Sequence, residues 1–402
     1  MSTRTFSKRL SLAGGAAALA LLSACSGSVT GDDSGGKSTE ATQASQRSQA
    51  KVTSSIKPGA RRVDIDRKLK LRVAAGTFEE VQVTGPRGEI VKGRLSPDKT
   101  RWVSRTPLQA ASRYRVTSTA VDAEGRQMAY ESGFRTRTLT LDEQTYPSFV
   151  PVEGQTVGVG MPVIIRFDVP VTDKASIEKH LKVTSRPAQT GAFHWLSDNE
   201  VHWRPRTYWS PGTDVTVKAD IAGVPAGNGI YGQMDRSMNF HVGDAMVSKV
   251  DMNTHEMRVF RNGKLVNTIP ITTGEQPKFT TRSGIKVIVE KYRQKRMNSE
   301  TIGIDPDSAD GYDLDNVEYA MRVTYSGEFV HAAPWSVASQ GNANVSHGCT
   351  GMSPANAEWF YNNSNIGDVI EYSGTDKWMD LTNGFGDWNA AFREYRAGSA
   401  LS

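Results

Sequence analysis

Cys349 lies in "VSHGCTGMS", positions 345–353, two residues after His347 and eighteen after His331. A thiol attacks as its thiolate, and a free one ionises near pKa 8.5, so a reactive cysteine needs a base or a cation beside it. Imidazole, with an ordinary pKa near 6.5, takes and returns a proton at neutral pH. If the chain around Cys349 is extended, residues 347 and 349 point to the same side, and His331 reaches them across a strand pair or a loop. Gly348 lets the backbone approach closely, and main-chain N–H groups here are candidates to hold an oxyanion. Ser353-Pro354 reads as the N-cap and first residue of a helix, which sets the sulfur just before a helix start, where the dipole favours a thiolate. Two histidines and a cysteine are also zinc ligands. A catalytic zinc takes three protein ligands plus water, and no CxxC or HExxH occurs, so nucleophilic chemistry ranks above a metal site. An inert cysteine beside two structural histidines is equally compatible with the spacing alone.

The other cysteine of the chain, Cys25, follows a different pattern. Arg4, Lys8 and Arg9 form a basic start, Leu10 to Leu22 a short apolar run, and "LSAC" closes it. The run is too short for a comfortable bilayer span. Basic residues, apolar run and small-small-Cys together resemble the bacterial lipoprotein signal, which implies a lipidated Cys25 and a protein anchored on the outer face of the cell membrane. The stretch that follows has almost no aliphatic or aromatic residue. It cannot bury enough apolar surface to fold and reads as a tether over 26–60. With Cys25 lipidated, Cys349 has no disulfide partner, and an unpaired thiol in an exported protein is a candidate reactive group.

The elements that must position Cys349 come after two other units. A hydrophobic content of 38% with 23% charged residues fits a globular chain. The net charge of +5 comes with no basic run interleaved with aromatics, which disfavours a nucleic-acid partner. Short alternating runs such as "VQVTGPRGEIV" and "VIIRFDVPV" indicate β-sandwiches. Trp102 precedes Tyr114 by twelve positions and Trp203 precedes Val215 by the same twelve, so the pattern repeats. Two tandem immunoglobulin-like sandwiches are expected, over 61–140 and 141–243, acting as a spacer. Their tryptophans and the scattered His180, His194, His202 and His241 read as core and strand residues. From 244 to 372 a mainly β domain is expected, with an Asn262-Gly263 hairpin, a strand ending at His331, one helix after Ser353 and a closing strand. A Trp-rich tail, 373–402, is expected to fold back on that domain.

The segment "HAAPWSVASQGNANVSHGCTGMSPANAEWFYNNSNIGDVIEY" resembles the active-site signature of L,D-transpeptidases. The arrangement from Cys25 through tandem immunoglobulin-like domains to "GDWNAAFREYRAG" resembles their actinobacterial branch. The resemblance implies a peptidoglycan cross-linking enzyme without a cofactor. Its donor and acceptor are stem peptides, D-alanine leaves through a Cys349 thioester to give a 3→3 cross-link, and carbapenem β-lactams inhibit it. It implies His331 as general base, His347 as its support, and Gly348 with Cys349 as oxyanion donors. Met297, Tyr312, Trp335 and Ser346 would be substrate-lining positions. Hydrolysis of the same thioester, attachment of proteins to the wall, and a non-catalytic wall-binding lipoprotein are the rival readings. Two positions depart from the family pattern: Gly351 stands where many members carry Asn, and Ala332 where many carry Ser. If the third catalytic element is the backbone carbonyl of residue 332, Ala serves equally.

Overall fold

The computed structural model describes residues 47–402. The signal segment, Cys25 and residues 26–46 of the expected tether lie outside the described residues.

The chain from residue 47 to 60 is not tether but part of the first sandwich. Lys51–Ser54 pairs antiparallel with Lys70–Ala74, and Ala50 and Ile56 are buried. A backbone ladder supplies this strand with its partners even though its side chains are mostly polar. The ladder continues through Arg101–Ser104 to Gly93–Leu95, and a second sheet of Thr77–Thr84, Arg113–Val121 and Gln127–Arg135 faces it. Strict alternation along Arg113–Val121 buries Tyr114, Val116 and Ala120, the period expected of a half-buried strand.

The second sandwich packs the sheet Thr156–Val157, Arg236–Val242, Asp214–Ala219 and Leu181–Arg186 against Gly191–Trp195, Glu200–Pro205, Val163–Phe167 and Pro147–Val150. The repeated tryptophan meets a glycine in both units. A Cβ on Gly93 would stand 2.0 Å from the Trp102 ring, and one on Gly191 would stand 2.3 Å from the Trp203 ring. Each indole packs against a glycine of the neighbouring strand, and only glycine leaves it room.

A small sheet of Pro225–Gly227, Ile230–Gly232 and Gln144–Thr145 completes this part of the chain, and the β structure after residue 244 forms two sheets around one helix. One sheet runs Lys264–Pro270, Glu256–Arg261, Met246–Asp251, Val369–Ser373, Gly284–Val287, and the other runs Glu290–Asn298, Asp313–Arg322, Phe329–Ala332, Thr350–Met352. Asn262 (φ 49°) and Gly263 (φ 80°) make the expected hairpin turn. The helix Pro354–Asn363 starts on Ser353, whose hydroxyl accepts from the Asn356 N–H. Its Ala357 and Phe360 enter the core between the sheets with Met252, Ile271, Met321 and Met352.

The C-terminal tail folds back on this last domain as expected, with Thr375, Lys377 and Met379 hydrogen-bonded to Ser283. It is also wedged against the second sandwich, which the sequence did not indicate. Trp388 donates its indole N–H to Gly160 O at 2.7 Å, and Arg204 lies over the rings of Trp388 and Tyr395. Asp387 meets His202 at 2.9 Å. On the other side Asn389 hydrogen-bonds both backbone groups of Ile285. Phe385 and Trp388 share one core with Val163, Trp209, Val287 and Val369. The core of the second sandwich is therefore continuous with that of the last domain.

Candidate active site

Strand Phe329–Ala332 runs parallel to Thr350–Met352, with Val330 aligned with Thr350, His331 with Gly351 and Ala332 with Met352. Cys349 stands one residue before the second strand. Side chains two apart on a strand face the same way, so Cys349 shares the face of position 351 and is a diagonal neighbour of His331. Both line a pocket of about 380 Å³ together with Met297, Tyr312, Trp335, Ser346 and His347. Seven of the eight residues singled out from the sequence in this domain thus surround one cavity.

Gly348 is the exception. Its φ of +122° is open only to glycine among ordinary residues, and its role is to turn the chain. Its N–H donates to Ser346 Oγ at 3.1 Å, and Ser346 Oγ in turn donates to Cys349 O at 2.6 Å. Thr281 donates to Gly348 O at 2.8 Å and accepts from the Gly274 N–H. The Gly348 N–H is thus engaged, contrary to its expected place as an oxyanion donor. The helix expectation also changes, because the strand Thr350–Met352 separates Cys349 from the helix start, and the dipole acts only within about the first turn.

The histidines are held in different ways. His331 Nδ1 lies 2.7 Å from Ala332 O. A carbonyl only accepts, so Nδ1 carries the proton and Nε2 keeps its lone pair. Burial holds the ring's pKa below the usual imidazole value, so it is neutral at pH 7 and able to take a proton. The contact uses the carbonyl of residue 332, which Ala supplies as well as Ser. His347 is packed between Phe279 (4.3 Å) and Tyr312 (5.1 Å). Trp335 stands largely exposed at the pocket mouth, 5.9 Å from the His331 ring.

Burial pushes the Cys349 thiol up to about 11, and its sulfur lies 3.7 Å from Gly327 O. The resting pair is therefore a neutral thiol and a neutral imidazole, and proton transfer accompanies attack. Tyr312 is carried by a clamp: Ser299 Oγ accepts from the Tyr312 N–H at 3.1 Å and donates to Ile304 O at 3.0 Å. Burial pushes the Tyr312 phenol up to about 12, with the Cys349 charge adding to it. Gly351 leaves no room for an amide. A Cβ there would stand 2.9 Å from Ala333 Cβ and 3.0 Å from Thr272 Cγ2.

Sequence reasoning missed Thr281, Phe279 and Asn344. Asn344 Oδ1 accepts from Thr273 N–H and Oγ1, and its amide donates to Met252 O, which pins the loop leading into Cys349. The run "TTG" at 272–274 was the available signal, since the Thr272–Gly351 and Gly274–Ser346 bridges tie it to that loop. Among the described residues no group of three or more His, Cys, Asp and Glu is placed to hold a metal ion.

A thiol, an imidazole with a free Nε2 and a semi-enclosed pocket beside them define an acyl-transfer site of the cysteine-nucleophile class. The L,D-transpeptidase catalytic domain (YkuD) matches residues 246–371, and a bacterial Ig domain matches 60–225, a span reaching across both sandwiches. The chain is 38% identical over 354 residues to L,D-transpeptidase 2 of Mycobacterium tuberculosis, covering 87% of this chain and 85% of that one. It is 34% identical over 340 residues to L,D-transpeptidase 5 of the same species, covering 83% and 73%. The solved structure of the LD transpeptidase LdtMt1 in complex with imipenem is 40% identical, with a TM-score of 0.50 over 56% of this chain and 97% of that one. The chain belongs to the L,D-transpeptidase family and is an acyltransferase of peptidoglycan cross-linking.

Proposed function

We propose that the enzyme forms 3→3 cross-links between tetrapeptide stems, with Cys349 as nucleophile and His331 as general base. The observation that carries this reading is the placing of both side chains on one face of the parallel strand pair, with His331 Nδ1–H on Ala332 O. His331 Nε2 takes the thiol proton as Cys349 Sγ attacks the carbonyl between the third residue and the terminal D-alanine. The C–N bond breaks, the proton passes to the leaving amine, and D-alanine departs from a thioester. A side-chain amine of a second stem then attacks, loses its proton to His331, and the thiol is regenerated. His347 braces the pocket, and Met297, Tyr312 and Trp335 line the donor stem.

Incubation with a purified tetrapeptide stem tests this by mass spectrometry. Dimers and free D-alanine are expected. Tripeptide alone would mean that water takes the thioester, and no product would overturn the reading. A carbapenem, which presents a strained amide to the same thiol, is expected to add once to the wild type and not to Cys349→Ser.

The mature chain is further proposed to be anchored through a lipidated Cys25, since two acyl chains hold a protein stably on a membrane and one does so only marginally. Cys25→Ala is expected in the medium. Its retention in the membrane fraction would sink the anchor.

A further inference from the structure

Lys286, on the strand Gly284–Val287, is fully buried, which is rare for a lysine unless it is paired. Its Nζ lies 2.5 Å from Glu328 Oε2 and 3.7 Å from the centre of the Tyr372 ring. Through Oε1 the same carboxylate accepts from the Arg282 guanidinium at 3.0 Å and from the Arg282 N–H at 3.2 Å. The cluster thus holds two cations against one anion.

It is built directly under the nucleophile. Glu328 follows Gly327, the residue whose carbonyl faces the Cys349 sulfur. Its Cγ is 3.7 Å from the point where a Cβ on Gly348 would stand. Tyr372 hydrogen-bonds Thr350 Oγ1 at 2.8 Å, next to Cys349. Replacing a buried ion pair by apolar groups is often neutral or stabilising, so stability alone is a weak reason to keep this one.

We propose that Lys286 is a positioning residue that neutralises the Glu328 carboxylate beside the nucleophile and so keeps it from opposing the Cys349 thiolate. The proposal rests on Cys349 as the nucleophile and extends that reading to the field that readies it. Of the charges that act on the sulfur, Glu328 opposes the thiolate most, Lys286 favours it, and Arg322, at the end of Asp313–Arg322 and itself paired with Glu290, adds a weaker positive field. His331 is neutral, and Tyr312 and Tyr372 are held protonated, chiefly by burial. His347 faces the pocket from between Phe279 and Tyr312. Burial works against the Lys286 ammonium, and Glu328 opposes that loss.

The test is the pH profile of iodoacetamide labelling at Cys349 in the full chain, read by peptide mass, with thermal melting to verify folding. Lys286→Met removes the ammonium that offsets Glu328, and the thiol pKa is expected to rise by about one unit, roughly tenfold slower labelling at pH 7. Adding Glu328→Gln removes the carboxylate itself and is expected to bring the profile back towards wild type. A merely structural role predicts the reverse order, with the double variant at least as displaced as the single. That result, or an unmoved profile in a folded Lys286→Met, overturns the proposal. If Lys286→Met does not fold, the double variant is compared with Glu328→Gln alone, which keeps the ammonium without the carboxylate. Glu328→Gln is expected to label at the lower pKa, and equal profiles overturn the proposal. Labelling needs no substrate, so failure here is distinguishable from failure of transpeptidation, which the stem assay reports on the wild type.

Discussion

His331 and His347 stand on the same pocket and have different work. His331 has one nitrogen committed to Ala332 O and the other empty, the arrangement a base requires. His347 is packed between two aromatic rings, the arrangement of a support. His331→Ala is expected to slow carbapenem acylation by about 10²–10⁴, the usual scale for loss of a general base. His347→Ala should cost less, because the thiol keeps its base and loses only a wall of the pocket. Stopped-flow acylation rates on both variants check this, and a larger loss in His347→Ala would reverse the assignment. Both histidines and the cysteine were legible in the sequence because they fall within one short segment whose residue types have few other joint uses. Lys286 and Glu328 were not. Lys286 lies on Gly284–Val287 and Glu328 just before Phe329–Ala332, 42 positions on, and only the fold brings the two together. Gly351 was legible as a departure, but its reason, contact with Ala333 and Thr272, needed the fold.

The elements around the pocket show where local pattern suffices. The Asn262-Gly263 hairpin and the Ser353-Pro354 helix start are settled by residues a few positions apart, and the structure has both. The strand at 51–54 was not legible, because its order comes from a partner twenty residues on. The segment that carries Tyr312 is held by Ser299 through its backbone, whose N–H donates to Tyr312 O at 2.9 Å, and through its hydroxyl. Ser299 joins the end of Glu290–Asn298 to the residue before Asp313–Arg322 by accepting from the Tyr312 N–H and donating to Ile304 O. Ser299→Ala leaves that N–H without its partner, which costs on the order of 1–3 kcal/mol when the group stays buried. The expected result is a rise in KM for the stem with a smaller change in kcat, since Tyr312 lines the pocket but is not the base. Steady-state kinetics check it. A fall in kcat at constant KM would move Tyr312 from binding to chemistry.

On the scale of the whole molecule, the tail ties the second sandwich to the domain that carries Cys349. Asn383 of the tail accepts from the Ser326 N–H in the turn that presents Gly327 to the sulfur. The strongest polar tie is His202, fully buried between Asp387 and Glu200 at 2.9 and 2.8 Å. Read from sequence it was one more strand histidine, because its carboxylate partner stands 185 residues away. Burial alone would depress its pKa, but the two carboxylates raise it to about 9. Burial would likewise raise Asp387, and the His202 charge instead holds it below the usual carboxylate value. A raised histidine contributes stability that is complete below its unfolded value near 6.5 and is lost as pH climbs through about 9, while a depressed Asp contributes above about 4 and loses it in acid. The tie is therefore fullest between about pH 4 and 6.5 and weakens on the alkaline side, by on the order of 3 kcal/mol for a shift of this size. Wild-type enzyme is expected to lose a few degrees of melting temperature between pH 7 and 10 on this account. His202→Gln, which keeps a hydrogen-bonding side chain without the titration, should start lower and fall less over that range. Parallel curves for the two proteins would remove His202 as the tie. If carbapenem acylation by the wild type slows over the same alkaline range while His202→Gln does not follow it, the tie also reaches the Gly327 turn and through it the nucleophile.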